Sequence, residues 1–308
     1  MISKNSDLYR QHPDWLLQLS DYQQPIGRNQ YVLDLCNDDV FGYLFERLDT
    51  LLSRYAISYL KWDMNREVVQ PGHQARPAQT RQVERLYALM AALRAKHPAV
   101  DIESCAAGGG RIDYEILRHV QRFWPSDNND ALERQTIQRG FSYFFPPEVM
   151  GAHIGAKKSH STRRDSDIHF RGITALFGHM GIELDPLQAS EEDKAGFSRY
   201  IALYKKHRRL IHEGTLYRLG SDDPQAQMLT SVVSADRRHA LVVIAQLARP
   251  TWALSGTLRL QGLDPQTTYR VSVIDAADNF RNGIVSTQPK WIEEGVELSG
   301  DWLQHAGL

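Results

Sequence analysis

The chain has 308 residues, enough for one large core or two domains, and its 42% apolar and 24% charged residues are ordinary globular composition. A formal net charge of −1 provides no strong field for nucleic acid or an anionic membrane, so neither is expected as a partner. Two cysteines, Cys36 and Cys105, form neither a disulfide framework nor a CxxC pattern, which points to reduced thiols in a cytoplasmic protein.

The opening "MISKNSDLYRQHPDW" has no apolar h-region, and no run approaches 18 apolar residues, so neither export signal nor membrane span is expected. "HPDW" (12–15) and "QQPIGRNQ" (23–30) read as loops, and "YVLDL" (31–35) as a short extended run. Asp38 or Asp39 is the expected N-cap of a helix over 40–55. "AISYLKWD" (56–63) then reads as a strand and "AQTRQVERLYALMAALRAKH" (78–97) as a helix. "AVDIESC" (99–105) is a strand, followed by a Gly-rich turn and a short helix "IDYEILRHV" (112–120). "RFWPSD" (122–127) is a strand end and 130–144 a helix. "VMGAHIG" and "HMGIELD" are further strand ends around a helix at 166–178. A long helix over 190–214 follows, in which "YKKHRR" (204–209) reads as a solvated face.

Strands alternating with helices argue for β/α units and a parallel sheet. The charged clusters "KWD", "ESC", "PSD" and "GAH" fall at strand C-terminal ends, where (β/α)8 barrels carry their active sites. A doubly wound sheet would use the same ends, but no GxGxxG opens a helix after the first strand, so the barrel is preferred. After Gly214 the apolar and polar residues alternate in "QMLTSVVSA", "HALVVIAQLA", "SGTLRLQGL" and "TYRVSVIDA", separated by turns at 236–238, 264–266 and 277–279. The expected architecture is therefore an α/β barrel portion over residues 1–213 and an antiparallel β-sandwich over 214–308. Only five β/α strand ends are visible before residue 214, against the eight of a closed barrel; either further strands are not legible or the chain begins inside a barrel, and the polar, loop-like opening favours the second.

Within "YLKWDMNR" (59–66), Lys61, Asp63 and Asn65 share one face of the strand and Trp62 and Met64 the other. A carboxylate one pleat from an ammonium is held ionised, as a nucleophile must be; a structural ion pair is the alternative. "ESCAAGGGRID" (103–113) places Cys105 and a glycine-rich backbone at a strand-to-helix turn, open to close approach by a ligand. It lacks the lysine of a phosphate loop, and no histidine is identified as partner for a catalytic thiol, so a thiol lining a sugar pocket fits better. In "FWPSDNND" (123–130) Asp130 is explained as a helix N-cap, whereas Asp127 is either an acid/base or an Asx-turn residue. Two carboxylates from separate strand ends are the equipment of glycoside hydrolysis. His153 and His179 stand without a second ligand at a metal spacing, and no metal site is expected.

Taken in order, "YLKWDMNR", "ESCAAGGGRID", "WPSDNND" and "FPPEVMGAHIG" resemble the retaining α-galactosidases of glycoside hydrolase family 36, of the bacterial raffinose-utilisation type. The likeness covers essentially the whole chain. It implies double displacement on terminal α-linked galactose of raffinose- or melibiose-type oligosaccharides, with no metal or organic cofactor. By motif it implies Asp63 as nucleophile and Asp127 as acid/base. Arg28, Lys61 and Cys105 match galactose-binding positions; Trp62, Met64 and Asn65 complete the pocket-lining run, and Gly108 matches a backbone contact. Ala107 and Asn129 depart from the family's usual Ser or Gly and Thr. The resemblance further implies barrel strands four to eight plus the C-terminal β domain, with an N-terminal β domain and the first strands lacking. Two other readings stand beside the enzyme: an inactive truncated fragment or split half, and a galactoside-binding module without turnover. Assembly is expected as a homo-oligomer or with an N-terminal half.

Overall fold

A computed structural model of the chain describes residues 1–19, 22, 24–251, 256–275 and 289–308, which divide into two units, Met1–Asp127 and Asn128–Leu308. In the first unit, helix α1 (Asp38–Arg54) starts where the Asn37 side chain accepts from Asp39 N–H at 2.9 Å. The cap is thus Asn37 rather than Asp38 or Asp39. Those two acids occupy the first turn instead, where they face the positive end of the helix dipole. Strand β1 (Tyr59–Trp62), helix α2 (Gln79–Lys96), β2 (Asp101–Ser104) and β3 (Arg122–Phe123) follow.

The three strands are parallel in the order β1-β2-β3, with Lys61 opposite Glu103 and Glu103 opposite Arg122. Strand alternation sorts their side chains. Leu60 and Trp62 pack into an apolar cluster with Leu16, Val40, Leu52, Leu89 and Leu93, contributed partly by α1 and α2. Val40 and Leu89 have no exposed surface, and such a buried aliphatic contributes roughly 1.5–3 kcal/mol. The short helix expected at 112–120 is reduced to one 3-10 turn, Ile116–Arg118, whose first N–H is accepted by the Asp113 carboxylate at 2.8 Å. Of the extended run at 31–35, only Tyr31 lies in a strand, paired with Ile2; Leu33 adds a single bridge to Leu16.

The second unit opens with α3 (Ala131–Phe141), followed by β4 (Gly151–Gly155), α4 (Ile168–Leu176), β5 (His179–Glu183) and α5 (Glu191–Glu213). Strands β4 and β5 are parallel, in register from Gly151–His179 to Gly155–Glu183. Ala152 and Ile154, both fully buried, meet Ile168, Ala175, Phe197 and Tyr200 of the two helices. All five expected strand ends are therefore parallel strands, three in one unit and two in the other.

The chain then turns antiparallel. Strands β6 (Thr215–Leu219), β7 (Gln227–Val233) and β8 (Ala240–Gln246) form one sheet, and β9 (Thr268–Val271) and β10 (Val296–Ser299) another. Leu219, Leu229 and Val233 of the first share one core with Tyr269, Val271 and Leu298 of the second, closed by Leu303 of α6 (Gly300–His305). Two expectations change here. "SGTLRLQGL" joins neither sheet in its described part; instead Leu258 exchanges backbone hydrogen bonds with Leu308, and Leu260 donates to Leu303. Strands β6 and β10 and helix α6 were not legible in the alternation. The turn expected at 277–279 lies outside the described residues. Among the described residues no helix is long and apolar enough to cross a membrane.

Candidate active site

The C-terminal ends of β1, β2 and β3 bring most of the sequence-predicted residues together within the first unit. Backbone pairing continues past the strands: Cys105 N–H donates to Trp62 O at 3.0 Å, Met64 N–H to Cys105 O at 3.2 Å, and Trp124 N–H to Ser104 O at 2.9 Å. Asp63, Cys105 and the segment leading to Asp127 are thereby set side by side. The Cys105 thiol donates toward Asp127 Oδ1 at 3.9 Å, and Asp63 lies close enough to act on the same thiol electrostatically. Both carboxylates therefore neighbour one thiol. Burial first, and then the neighbouring Asp63, push that thiol's pKa up to about 12, so it stays a neutral donor at pH 7.

Asp63 is exposed and accepts from the Asn65 side-chain amide. Asp127 is exposed as well, and among the described residues neither carboxylate takes part in an ion pair. The sequence pattern had suggested Lys61 as the charge partner of Asp63. The structure pairs Lys61 with the buried Glu103, 3.9 Å away, and places its ammonium over the Trp124 ring, 4.8 Å from the centroid. Register explains this: Lys61 lies directly opposite Glu103, and neighbours across a ladder are closer than residues one pleat apart.

Gly108 earns its place by geometry. Its φ of +78° lies in the left-handed region, and a Cβ there would come within 2.6 Å of Asp127 N and 2.8 Å of Ser126 Cα. The glycine lets the loop after β2 lie flat against the backbone that carries Asp127. Arg111, three residues on, fastens the loop with Nη2 on Trp62 O at 2.6 Å and on Cys105 O at 2.8 Å, and Nε on Ser104 Oγ at 3.0 Å. Burial lowers its pKa from the usual arginine value, and no nearby carboxylate is hydrogen-bonded to it among the described residues.

Two predicted residues stand apart from this convergence. Trp62 packs its side chain in the helix-facing cluster, so of the run 61–65 it offers backbone rather than side chain to the site. Arg28 occupies a tight turn, Gly27–Gln30, in which Arg28 (φ 51°) and Asn29 (φ 59°) are both left-handed, as a type I′ hairpin turn demands. Its side chain makes no hydrogen bond or ion pair among the described residues, while the neighbouring Gly27 lies against the buried Arg66 guanidinium. Glu103, Trp124 and Arg111 belong to the site but escaped the sequence reading. A charged residue in a buried strand, as in "DIESC", was the one signal that could have found Glu103.

In the second unit His153 Nδ1 and Glu183 Oε2 are 3.2 Å apart, and His179 Nε2 lies 2.6 Å from Glu148 O. Among the described residues no three His, Cys, Asp or Glu side chains are grouped to hold a metal ion.

The melibiase family model matches residues 1–214, and that of the glycosyl hydrolase family 36 C-terminal domain matches residues 227–308. An α-galactosidase of Escherichia coli is 50% identical over 312 residues, covering all of this chain and 44% of the relative. The α-galactosidase AgaA of Geobacillus stearothermophilus is 38% identical over 277 residues, covering 88% of this chain and 38% of that one. The crystal structure of AgaA superposes with a TM-score of 0.86 at 36% identity, over 100% of this chain and 41% of AgaA. The chain thus spans less than half the length of these relatives. Its architecture is an α/β, TIM-barrel-like domain followed by a C-terminal β domain. The chain belongs to the melibiase family and carries the C-terminal domain of glycosyl hydrolase family 36.

Proposed function

We propose that this chain carries the reacting groups of a retaining α-galactosidase acting on terminal α-linked galactose of raffinose- or melibiose-type oligosaccharides. The observation that carries the reading is the placement of two exposed carboxylates beside Cys105, Asp63 by the backbone ladder from Trp62 to Met64 and Asp127 by its contact with the thiol. A variant of the relative AgaA has been crystallised with raffinose, which supports the substrate class. In the first step Asp127 gives its proton to the glycosidic oxygen while Asp63 attacks the anomeric carbon. The C–O bond breaks, the aglycone leaves as an alcohol and a galactosyl ester forms on Asp63. In the second, Asp127 takes a proton from water, which attacks the same carbon and frees Asp63. Retention requires carboxyl groups about 5–5.5 Å apart.

Lys61, Cys105, Asn65 and the Gly108 backbone are assigned to galactose, with Arg28 reaching it from the Gly27–Gln30 turn, Met64 lining the pocket and Trp62 contributing its backbone. Residues 1–213 would supply barrel strands four to eight and residues 214–308 the β domain. The two buried free thiols suit a reducing cytoplasm.

The test is turnover of 4-nitrophenyl α-galactoside by the purified chain. Activity abolished by Asp63→Ala is the expected result. Galactose binding without turnover would favour a binding module, and neither binding nor turnover would sink the enzymatic reading for the 308-residue chain.

A further inference from the structure

Arg111 devotes its guanidinium to main-chain carbonyls and one hydroxyl. Nη2 donates to Trp62 O at 2.6 Å and to Cys105 O at 2.8 Å, one N–H for each carbonyl. Nε donates to Ser104 Oγ at 3.0 Å, and that hydroxyl donates back to Arg111 O at 2.9 Å, so the fully buried Ser104 holds the arginine by both ends. The two carbonyls belong to the last ladder rung around Asp63. Trp62 O also accepts from Cys105 N–H at 3.0 Å, and Cys105 O from Met64 N–H at 3.2 Å. The peptide units on either side of Asp63 are therefore both tied to Cys105, and one guanidinium nitrogen bridges the pair.

The chain between Cys105 and Arg111 has to double back for this. Ala106 N–H donates to Gly108 O at 2.9 Å and Gly110 N–H to Ala106 O at 3.0 Å, and a Cβ at Gly110 would lie 2.5 Å from that same Ala106 carbonyl oxygen. The glycine run thus returns position 111 to the strand ends. Charge adds a second observation. A guanidinium withdrawn from water is ordinarily matched by a carboxylate. Among the described residues no carboxylate is hydrogen-bonded to Arg111, although Asp63 and Asp113 are near enough to act on it electrostatically. Asp113 is already engaged, accepting from the Tyr87 hydroxyl and from Ile116 N–H, each at 2.8 Å. Asp63 is exposed and accepts from the neutral Asn65 amide.

We propose that Arg111 is a positioning residue for Asp63, fixing through Trp62 O and Cys105 O the two peptide units that bracket the carboxylate and leaving its own charge unpaired within electrostatic reach of it. The inference rests on the reading of Asp63 as the nucleophile. A nucleophile must stand about 3–3.5 Å from the carbon it attacks, and a misplacement of about 1 Å costs about 10²-fold in rate. No ion pair aims the Asp63 side chain among the described residues, so its direction is inherited from the backbone that Arg111 ties down. A residue that acts by aiming the nucleophile slows every substrate, whatever its leaving group, and leaves the binding of free galactose unchanged.

The test compares the unsubstituted chain with Arg111→Met, Arg111→Ala, Ser104→Ala and Asp63→Ala. Rates are measured on melibiose, whose sugar alkoxide needs a proton to leave, and on α-galactosyl fluoride, whose fluoride does not. Galactose affinity is measured by calorimetry. Arg111→Met should lower kcat about 10²-fold on both substrates alike, with galactose affinity within about twofold of the unsubstituted chain. Guanidinium ion at millimolar concentration, well below the molar range that unfolds proteins, should restore part of the rate of Arg111→Ala and none of that of Asp63→Ala. Ser104→Ala releases Nε alone; it should lose about tenfold on both substrates, and it serves if the arginine variants do not fold. An unchanged kcat, a loss confined to melibiose, a loss that appears as weakened galactose binding, or no rescue by guanidinium overturns the proposal. Asp63→Ala tells the two failures apart. If it is inactive while the Arg111 and Ser104 variants keep their rates, the positioning role alone fails. If it keeps its turnover, or the unsubstituted chain turns over neither substrate, the nucleophile reading has failed and Arg111 has no nucleophile to aim.

Discussion

The rim of the β1–β3 sheet and the start of α3 use aspartate in opposite ways. At the rim, Asp63 and Asp127 are exposed, and among the described residues their side chains are met by an amide and a neutral thiol. Three residues beyond Asp127, Asp130 is buried and receives two backbone N–H groups, a hydroxyl and a guanidinium. A carboxylate whose lone pairs are all taken by the protein serves the fold, whereas one left with weak donors is available to a substrate. The contrast is drawn within one short motif, so it reflects geometry rather than composition.

That contrast can be broken most directly by truncating both residues. Asp127→Ala should cut kcat on melibiose by about 10²–10⁴, the usual worth of a general acid, while the thermal midpoint barely moves. A large fall in the midpoint would instead make Asp127 structural. Asp130→Ala should destabilise the chain by about 2 kcal/mol in urea titration, because it removes a helix cap and leaves Arg164 with Glu133 alone. A change below about 0.5 kcal/mol would mean that the convergent donors count for little.

The acid limb of stability sharpens the same point. Burial works to raise the Asp130 carboxyl, but the hydrogen bonds from Thr162, Glu133, Leu132 and Arg164 outweigh it and hold the group below its ordinary value of 3.8. Its contribution is therefore complete above that value and lost as pH falls through the lower, folded-state value. Melting curves from pH 6 down to 2 should show this loss, and Asp130→Asn should flatten it. A smaller effect is expected at Gly108: alanine in its left-handed conformation costs about 1–2 kcal/mol before any contact with Asp127 N is counted. Smallest of all, Arg163→Gly relieves the left-handed arginine of the 156–167 loop and should raise stability by up to about 1 kcal/mol, measured by urea midpoint.

Legibility followed the range of the forces involved. The five parallel strands and their helices were readable because the periods of 2 and 3.6 are local. Asp130 was readable as a cap because its partners are two and three residues away. The antiparallel region was read less well. Strand β6 is only five residues long, and "SGTLRLQGL" alternates without joining a sheet, because its partners are the last residues of the chain. At the site, the run "KWD" pointed to charge with a purpose but not to its pairing. Lys61 goes to Glu103 across the ladder, 42 residues away in sequence, and no spacing rule encodes that.

The sequence by itself determined which chemistry is present: the residue types at the strand ends, the β/α alternation that puts them on one rim, and the motifs that mark the family. Each is a property of short stretches, set by backbone periodicity and by the few residues allowed at turns. Only the tertiary structure decided which of those groups are committed and which are free. Lys61 faces Glu103 across the ladder, and Asp130 is taken by an arginine 34 residues away. Asp63 and Asp127 are left exposed. The reason is that hydrogen bonds and ion pairs between elements depend on register and on loop paths across tens of residues, and proximity of that kind exists only once the chain has folded.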